Sequence, residues 1–355
     1  MDKRENLLRA LRRDYPKYVP FDFTLCPSQT DAFERVYGTR DYMGYCNFPF
    51  RYVEIGATKL NIDYKRYYQN AGEDYEPLCW LSDWGIMGKS GGTAHFQEML
   101  HPMQGFTSAD EILAYPWPDF IADYRWAGVK EKNNRIIRSG YATVAAMQMT
   151  IFELAWYHRG LEEFLIGFYE EPEFNEVLLD EITKIRVKMA RKYAEADSDI
   201  LMLGDDVSTQ LDMMISPDLW RQFLKPRLSA VITAAKEAKP DIIIFYHGDG
   251  NLSAIIPDLI EIGVDVLNPV QPECMDPYKL KEVYGDKLSF WGGLGTQTTL
   301  PFGDFAEVDD TCRTLIEKVG KGGGYVLGPT HIIEPEVPFE NIEAFLRAAR
   351  IYGKY

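Results

Sequence analysis

The chain has 355 residues, 46% hydrophobic and 26% charged, a composition typical of one large globular domain or two medium ones. Its formal net charge of −16 predicts an acidic surface, which argues against nucleic acid and anionic membranes as partners. No apolar run is long enough to span a membrane, the N-terminus lacks a signal-peptide core, and five scattered cysteines without a CxxC pair predict reduced thiols in the cytoplasm.

The first third of the chain combines one clear strand with a long irregular stretch. The N-terminal residues predict a short amphipathic helix that ends at Pro16, and residues 19–25 predict a first strand. Residues 26–140 are rich in Tyr, Gly and Pro, and we expect them to contain a second strand and insertions that build a pocket wall. No linker divides the chain, so the sequence predicts a single domain over residues 1–355.

From residue 141 onward, predicted strands and helices alternate. Buried apolar runs predict strands that begin near residues 141, 200, 242, 264, 287 and 324. Successive strand–helix units imply a parallel sheet with right-handed crossovers. Together with the two strands expected in the first third, these runs favour an α/β fold of the (β/α)8 TIM-barrel type, with insertions in its N-terminal third. A doubly wound open sheet is the alternative, but no glycine-rich phosphate loop follows the first strand.

One helix between these strands carries clear start and stop signals. Ser216 is a good N-cap and Pro217 is well placed in a first helical turn. We expect Pro226 to break or kink the helix that they begin, because proline has no backbone N–H to donate.

The strand at 242–245 ends in the most informative polar group of the chain. His247 and Asp249 follow it within Tyr-His-Gly-Asp-Gly, and His331 follows the last predicted strand. In a parallel α/β fold the carboxyl ends of strands carry the functional residues. Two histidines and a carboxylate form a common zinc ligand set with one position open for water or substrate. The alternative is that both histidines only hydrogen-bond loop backbone.

Further candidates follow other predicted strands. Asp206 is a general acid or base, or else caps the loop that follows it. Glu153 faces the mouth of the barrel, or else stabilises the start of a helix through the helix dipole. Glu273 is a rival metal ligand, and the tryptophans form pocket walls or pack in the core. We assign catalysis to Asp206 and His247, and substrate binding to Asp205, Glu153, Gln271, Glu273, Trp84 and Trp291.

Several motifs in the second half resemble those of the uroporphyrinogen decarboxylase superfamily. They are GDD at 204–206, HGDGN at 247–251, IGVDVLNPVQP at 262–272, FWGG at 290–293 and GGGYVLGPTHII at 322–333. The resemblance implies a (β/α)8 barrel. It also implies one of two activities, which are the decarboxylation of porphyrinogens and methyl transfer to or from corrinoid proteins.

The resemblance favours the methyltransferase branch. The decarboxylases carry an RQAGRY-type segment after the first strand, which clamps substrate carboxylates, whereas residues 25–30 here read LCPSQT and contain no arginine. The zinc-dependent methyltransferases carry HxC after the fifth strand and a Cys after the last strand. By position this pattern falls on His247, Asp249 and His331, so both cysteines are replaced. Nitrogen and oxygen ligands suit the polarisation of an ether oxygen better than the activation of a thiol.

The resemblance therefore implies a corrinoid-dependent methyltransferase. Its methyl donor would be a small methoxylated compound, aromatic ones included, and its cofactor Zn²⁺. The corrinoid would belong to a partner protein, because this sequence has no cobalamin-binding DxHxxG segment. Two alternatives stay open: a decarboxylase for a smaller substrate, with Lys89, Arg159 or Arg221 as its cation, and a barrel that binds a tetrapyrrole or small molecule without turnover.

Overall fold

The computed structural model describes residues 1–68, 79–90 and 97–354. Its helices and strands, in chain order, are α1 Lys3–Leu11, α2 Pro27–Tyr37, α3 Tyr42–Tyr45, β1 Phe50–Val53, β2 Cys79–Leu81, β3 Met87–Ser90, β4 Gln97–Leu100, α4 Ala109–Leu113, α5 Asp123–Trp126, α6 Val129–Arg138, β5 Ala142–Ala146, α7 Phe152–Arg159, α8 Leu161–Glu170, α9 Pro172–Glu195, β6 Ile200–Gly204, α10 Pro217–Leu219, α11 Lys225–Ala238, β7 Ile243–His247, α12 Ile256–Glu261, β8 Val266–Asn268, α13 Pro277–Tyr284, β9 Ser289–Leu294, α14 Thr299–Phe302, α15 Phe305–Lys318, β10 Tyr325–Pro329 and α16 Phe339–Tyr352. Among the described residues, no helix combines the length and the apolar character that crossing a bilayer requires.

A curled parallel sheet organises the molecule. Its seven strands follow the order β1-β5-β6-β7-β8-β9-β10, and all neighbouring pairs are parallel. Phe50 on β1 and Trp291 on β9 lie near opposite ends of this order, yet their ring centroids are 5.5 Å apart. Contact between rings so far apart in the strand order requires the sheet to curl around a common interior. The predicted α/β fold is thereby confirmed, and β1 is the strand expected within 26–140.

The predicted first strand, residues 19–25, differs from expectation. This segment runs beside β10 but makes only two isolated parallel bridges, Phe21 to Leu327 and Leu25 to Ile333. The sheet therefore has seven ladder strands in the described chain rather than the predicted eight. Pro329 ends β10 between the two bridges, and its ring nitrogen has no N–H to continue a ladder.

The stretch between β1 and β5 contains a second, smaller sheet. Strands β2, β3 and β4 form an antiparallel sheet in that order. Residues 69–78 and 91–96 fall within the predicted insertions and lie outside the described residues. Whether this region forms a pocket wall therefore remains a prediction.

The helix at Ser216 begins as predicted but does not break at Pro226. The Ser216 side chain accepts a hydrogen bond from the Leu219 N–H, as expected for an N-cap. A π-helical turn at Trp220–Leu224 then leads directly into α11. The wider turn accommodates the missing N–H of proline, so the chain stays helical.

Alternation along the strands separates two apolar layers. The inward cluster includes Phe50, Val144, Ile200, Phe245 and Trp291, which fill the inside of the curled sheet. The larger cluster lies between the sheet and the helices. Because the inside is packed with side chains at the level of the strands, space for a ligand is left at their carboxyl ends.

Candidate functional site

A cavity of about 580 Å³ opens at the carboxyl ends of the parallel strands. This volume lies within the range of small-molecule sites. Its apolar walls are rich in aromatic residues, which include Phe23, Phe48, Phe50, Tyr52, Phe245 and Trp291. Five of the predicted site residues line it, namely Glu153, Asp206, His247, Trp291 and His331.

His247, Asp249 and His331 converge at the edge of this cavity. The Nε2 atom of His247 lies 3.8 Å from Asp249 Oδ1, and the Nε2 atom of His331 lies 3.8 Å from Asp249 Oδ2. One ligand atom from each of the three residues lies within 4.8 Å of the other two. His247 at the end of β7, Asp249 just after it and His331 after β10 thus present donor atoms to one point.

The turn after β7 depends on a glycine. Gly250 has a φ of +84°, and a Cβ atom there would lie 2.3 Å from the carbonyl oxygen of Thr209. A side chain at this position would therefore collide with backbone as well as adopt a strained conformation. The Gly250 N–H donates to the Gln271 side-chain oxygen, which fixes the loop that carries Asp249.

Asn268, the last residue of β8, orients His247. Its side-chain oxygen lies 2.6 Å from His247 Nδ1, and its amide nitrogen donates to the carbonyl oxygen of Trp291. An amide oxygen only accepts hydrogen bonds, so Nδ1 carries the proton and Nε2 keeps its lone pair. That lone pair is available to a metal or a proton on the side facing Asp249.

The donor set fits a zinc ion. Ligand bonds of about 2.0–2.2 Å in a tetrahedron separate donor atoms by roughly 3.3 Å. The two His–Asp distances here are 3.8 Å and the three donor atoms lie within 4.8 Å of one another, so small side-chain shifts would bring them to a zinc ion. Two neutral imidazole nitrogens and one carboxylate oxygen are ordinary zinc ligands, and the Asn268 contact supplies the outer support that such histidines have in metal sites.

A chain of acidic groups extends inward from His247. Asp206 Oδ1 lies 3.8 Å from His247 Nε2 and accepts a hydrogen bond of 2.8 Å from the Asp249 N–H. Glu153 accepts hydrogen bonds from the Asp206 N–H and from the Tyr157 hydroxyl. Burial, together with the nearby Asp206 and Asp205 carboxylates, raises the pKa of Glu153 well above its ordinary range. The raised pKa favours the protonated form of Glu153.

Asp205 is not among the residues that line the cavity. It is buried, and its carboxylate accepts hydrogen bonds from the N–H groups of Ile151 and Glu153, at the start of α7. Burial raises the pKa of Asp205 to about 7, although these hydrogen bonds oppose the shift. This position supports the placement of Glu153 rather than direct contact with a ligand.

Three other predicted substrate-binding residues also lie outside the cavity lining. Gln271 is buried and holds the Asp249 loop. Glu273 accepts a hydrogen bond from the Thr298 hydroxyl and lines a neighbouring pocket. Trp84 packs in the core, with ring contacts to Phe120 and His158. In a sequence, buried polar and aromatic residues beside a site look the same as those inside it.

Asp22 and Tyr157 are among the cavity residues that were not predicted from the sequence. Asp22 lies in the Val-Pro-Phe-Asp-Phe-Thr-Leu segment, and a lone carboxylate in an apolar strand-like run was the available signal. Tyr157 follows Glu153 by four residues in α7, a spacing that puts both on one helix face.

The described lining of the cavity contains no lysine and no arginine. Arg159 pairs with Glu171 and Arg221 with Asp258, and neither lines the cavity. The side chain of Lys89 lies outside the described residues. The ionisable groups that face the cavity in this part of the chain are therefore carboxyls, histidines and tyrosines.

Comparison with known proteins gives a consistent result. Residues 107–352 match the family profile "Uroporphyrinogen decarboxylase (URO-D)". The chain is 29% identical over 192 residues to the methylcobamide:CoM methyltransferase MtaA of Methanosarcina barkeri, an alignment covering 54% of this chain and 53% of that protein. It is 21% identical to the uroporphyrinogen decarboxylase of Actinobacillus succinogenes, across 99% of this chain and 98% of that one.

A solved structure extends the likeness to the whole fold. The methyltransferase from Methanosarcina mazei aligns with a TM-score of 0.67 at 19% identity, covering 99% of this chain and 98% of that chain. At this identity the match concerns the fold alone. The chain spans about half the length of the MtaA relatives it matches.

Proposed function

Because the chain belongs to the uroporphyrinogen decarboxylase family, we propose that it is a corrinoid-dependent methyltransferase of this family. In this proposal a small methoxylated compound, with aromatic ethers foremost, donates its methyl group to the corrinoid of a partner protein. The scaffold would be a (β/α)8 barrel whose eighth position is taken by residues 20–26, and the enzyme would act in the cytoplasm. The proposal rests on the convergence of His247, Asp249 and His331 at an aromatic cavity. The described lining of this cavity contains no lysine or arginine.

The charge of the cavity separates the two activities of the family. A porphyrinogen carries several carboxylates, and their burial requires cationic partners. The described lining offers no lysine or arginine to pair with them and contributes the carboxyl groups of Asp22, Glu153 and Asp206 instead. A neutral methyl ether meets no such penalty, so the electrostatics favours methyl transfer over decarboxylation.

We assign separate roles in this reaction to the residues of the cavity. The aromatic walls bind and orient the donor, and His247, Asp249 and His331 hold Zn²⁺. When bound, zinc would supply a Lewis acid that polarises the donor oxygen. The methyl carbon leaves the oxygen and bonds to cobalt(I) of the partner's corrinoid, the C–O electron pair stays on the oxygen, and that oxygen takes up a proton.

Asp206 and Glu153 are placed to supply this proton. Asp206 lies between His247 and Glu153, and the raised pKa of Glu153 favours its protonated form. The Tyr157 hydroxyl donates to one oxygen of Glu153 and the Asp206 N–H donates to the other, so the carboxyl group is held in a defined position. A positioned acid lowers the barrier to departure of an alkoxide or phenoxide.

The test is methyl transfer to free cob(I)alamin, used in place of the partner. Purified protein is mixed with reduced cobalamin and a set of methoxybenzenes, and the loss of the cobalt(I) absorbance is followed together with the demethylated product. We expect product to form in proportion to methylated cobalamin, and His247→Ala to lose this reaction. Conversion of a porphyrinogen without cobalamin would instead support the decarboxylase, and binding without any product would support a non-catalytic barrel.

A further inference from the structure

A further carboxyl group lines the cavity on a segment that carries none of the proposed metal ligands. Asp22 lies in the segment that runs beside β10, four positions around the sheet from β7 and His247. Because the sheet curls, this position is on the opposite wall. Asp22 is also deeper, since Phe21 pairs with Leu327 inside β10, whereas His331 follows the end of that strand, about 13 Å further along an extended chain.

Asp22 is held in a defined orientation. Its Oδ1 accepts a hydrogen bond of 2.6 Å from the indole N–H of Trp291. The same oxygen would lie only 3.1 Å from a Cβ atom at Gly328, so β10 approaches it closely as well. Both residues of the pair line the cavity. Burial raises the pKa of Asp22 to about 7, with the Trp291 hydrogen bond opposing the shift.

Aromatic rings continue from this pair across the interior. Trp291 contacts Phe245 and Phe50 with centroid distances of 5.3 and 5.5 Å. Phe48 is 6.3 Å from Phe50, and Phe23 is 5.0 Å from Phe48. A flat ring laid on this surface would have one edge near Asp22 and the other toward the mouth, where a partner's cobalt can approach.

We propose that Asp22 and Trp291 form a distal anchor that selects methyl donors with an uncharged hydroxyl group opposite the methoxy group and rejects donors with a carboxylate there. A carboxyl group hydrogen-bonds a hydroxyl in either protonation state, because it accepts when ionised and both donates and accepts when neutral. Above pH 7, where Asp22 is ionised, it would repel a carboxylate at the same place, and the described lining holds no lysine or arginine to offset the repulsion. This inference rests on the proposed binding of a methyl donor in the cavity, and it specifies the chemical class of that donor.

The test is equilibrium binding of three matched probes by titration calorimetry at a pH of about 8.5, where Asp22 is ionised. The probes are methoxybenzene, 4-methoxyphenol and 4-methoxybenzoate, which differ only opposite the methoxy group. For the wild type we expect 4-methoxyphenol to bind about 10-fold more tightly than either of the others, the value of one good hydrogen bond. Asp22→Leu should reduce the hydroxyl preference to about 2-fold or less.

Two further variants keep the test decisive if Asp22→Leu folds poorly. Asp22→Asn retains an acceptor for Trp291 and a donor for the ligand, so it should keep the hydroxyl preference while binding 4-methoxybenzoate about 3-fold better or more. Asp241→Asn removes an exposed carboxylate just before β7, at the other end of the sheet, and should change none of the three affinities.

The opposite results would overturn the anchor. They are an unchanged hydroxyl preference in Asp22→Leu, equal binding of 4-methoxybenzoate and 4-methoxyphenol by the wild type, or no binding of any probe. Binding that depends on Asp22 but is followed by no methyl transfer to cob(I)alamin would support the anchor and contradict the proposed enzyme, so the two failures are distinguishable.

Discussion

The Nδ1 atom of His247 lies 2.6 Å from the side-chain oxygen of Asn268, at the carboxyl ends of two neighbouring strands. This contact fixes the tautomer of the imidazole before any ligand arrives. Nε2, with its lone pair, is then directed toward Asp249 without further reorganisation. An imidazole ring that is already oriented loses less entropy when it binds a metal. Because His247 lies on β7 and Asn268 on β8, this pair of strands forms part of the site.

Replacing Asn268 by Ala should weaken zinc binding by about 10- to 100-fold, because His247 loses the acceptor that orients it. The measurement is competition with a chromogenic chelator. Asn251→Ala is the matched control, since Asn251 donates to the Leu211 backbone in the rim without touching the ligands. Equal zinc affinities of Asn268→Ala and the wild type would argue against an orienting role.

Protein purified without chelator should contain about one zinc per chain by mass spectrometry of the metal. His247→Ala and His331→Ala should each lose most of it, because two remaining ligands hold the ion too weakly. His101→Ala is the control, as His101 contacts the Tyr157 carbonyl outside the ligand set. Metal-free wild-type protein, or full occupancy in both variants, would exclude this ligand set.

Glu153→Gln should lower the rate of methyl transfer by about 100-fold or more and leave donor affinity nearly unchanged, because it removes the proton source but keeps the shape. The wild-type rate should fall as the pH rises through the raised pKa of Glu153, since only the protonated form is an acid. This alkaline limb should be absent in Glu153→Gln. Tyr157→Phe, which removes only the hydrogen bond to Glu153, should have a smaller effect. An unchanged rate in Glu153→Gln would contradict the assignment.

Asp22 should make folding stability depend on pH. Its pKa is about 7 in the folded protein and near 3.8 when exposed, so the folded state binds the proton more tightly. Its contribution therefore favours folding most at low pH and is lost as the pH rises from about 4 to 7. Asp22→Asn cannot ionise, so its melting temperature relative to the wild type should rise between pH 5 and pH 8. A constant difference over this range would be inconsistent with the raised pKa.

Asp205→Ala should destabilise the protein by about 1–3 kcal/mol in urea unfolding, because two buried N–H groups at the start of α7 lose their acceptor. Asp212→Ala is the control, since its carboxylate is exposed and accepts only from the next residue in the loop. A loss below about 0.5 kcal/mol would mean that α7 is held at its start by other contacts.

The sequence by itself determined the parallel α/β arrangement and the family. Strands and helices alternate after residue 141 with short connections, which is compatible with few topologies. The right-handed crossover rule excludes most of these. The location of His247, Asp249 and His331 at one end of the sheet could also be predicted, because residues at the carboxyl ends of parallel strands lie at the same edge.

Only the tertiary structure decided which neighbours of those residues face the cavity. Asp205 and Asp206 are adjacent in sequence, yet one turns toward α7 and the other toward His247, because successive side chains of an extended chain point in opposite directions. Asp22 and Trp291, separated by 269 residues, meet because the segment that carries Asp22 runs beside β10, the neighbour of β9. Local patterns place residues on elements, but their depth and direction inside a curled sheet follow from long-range packing.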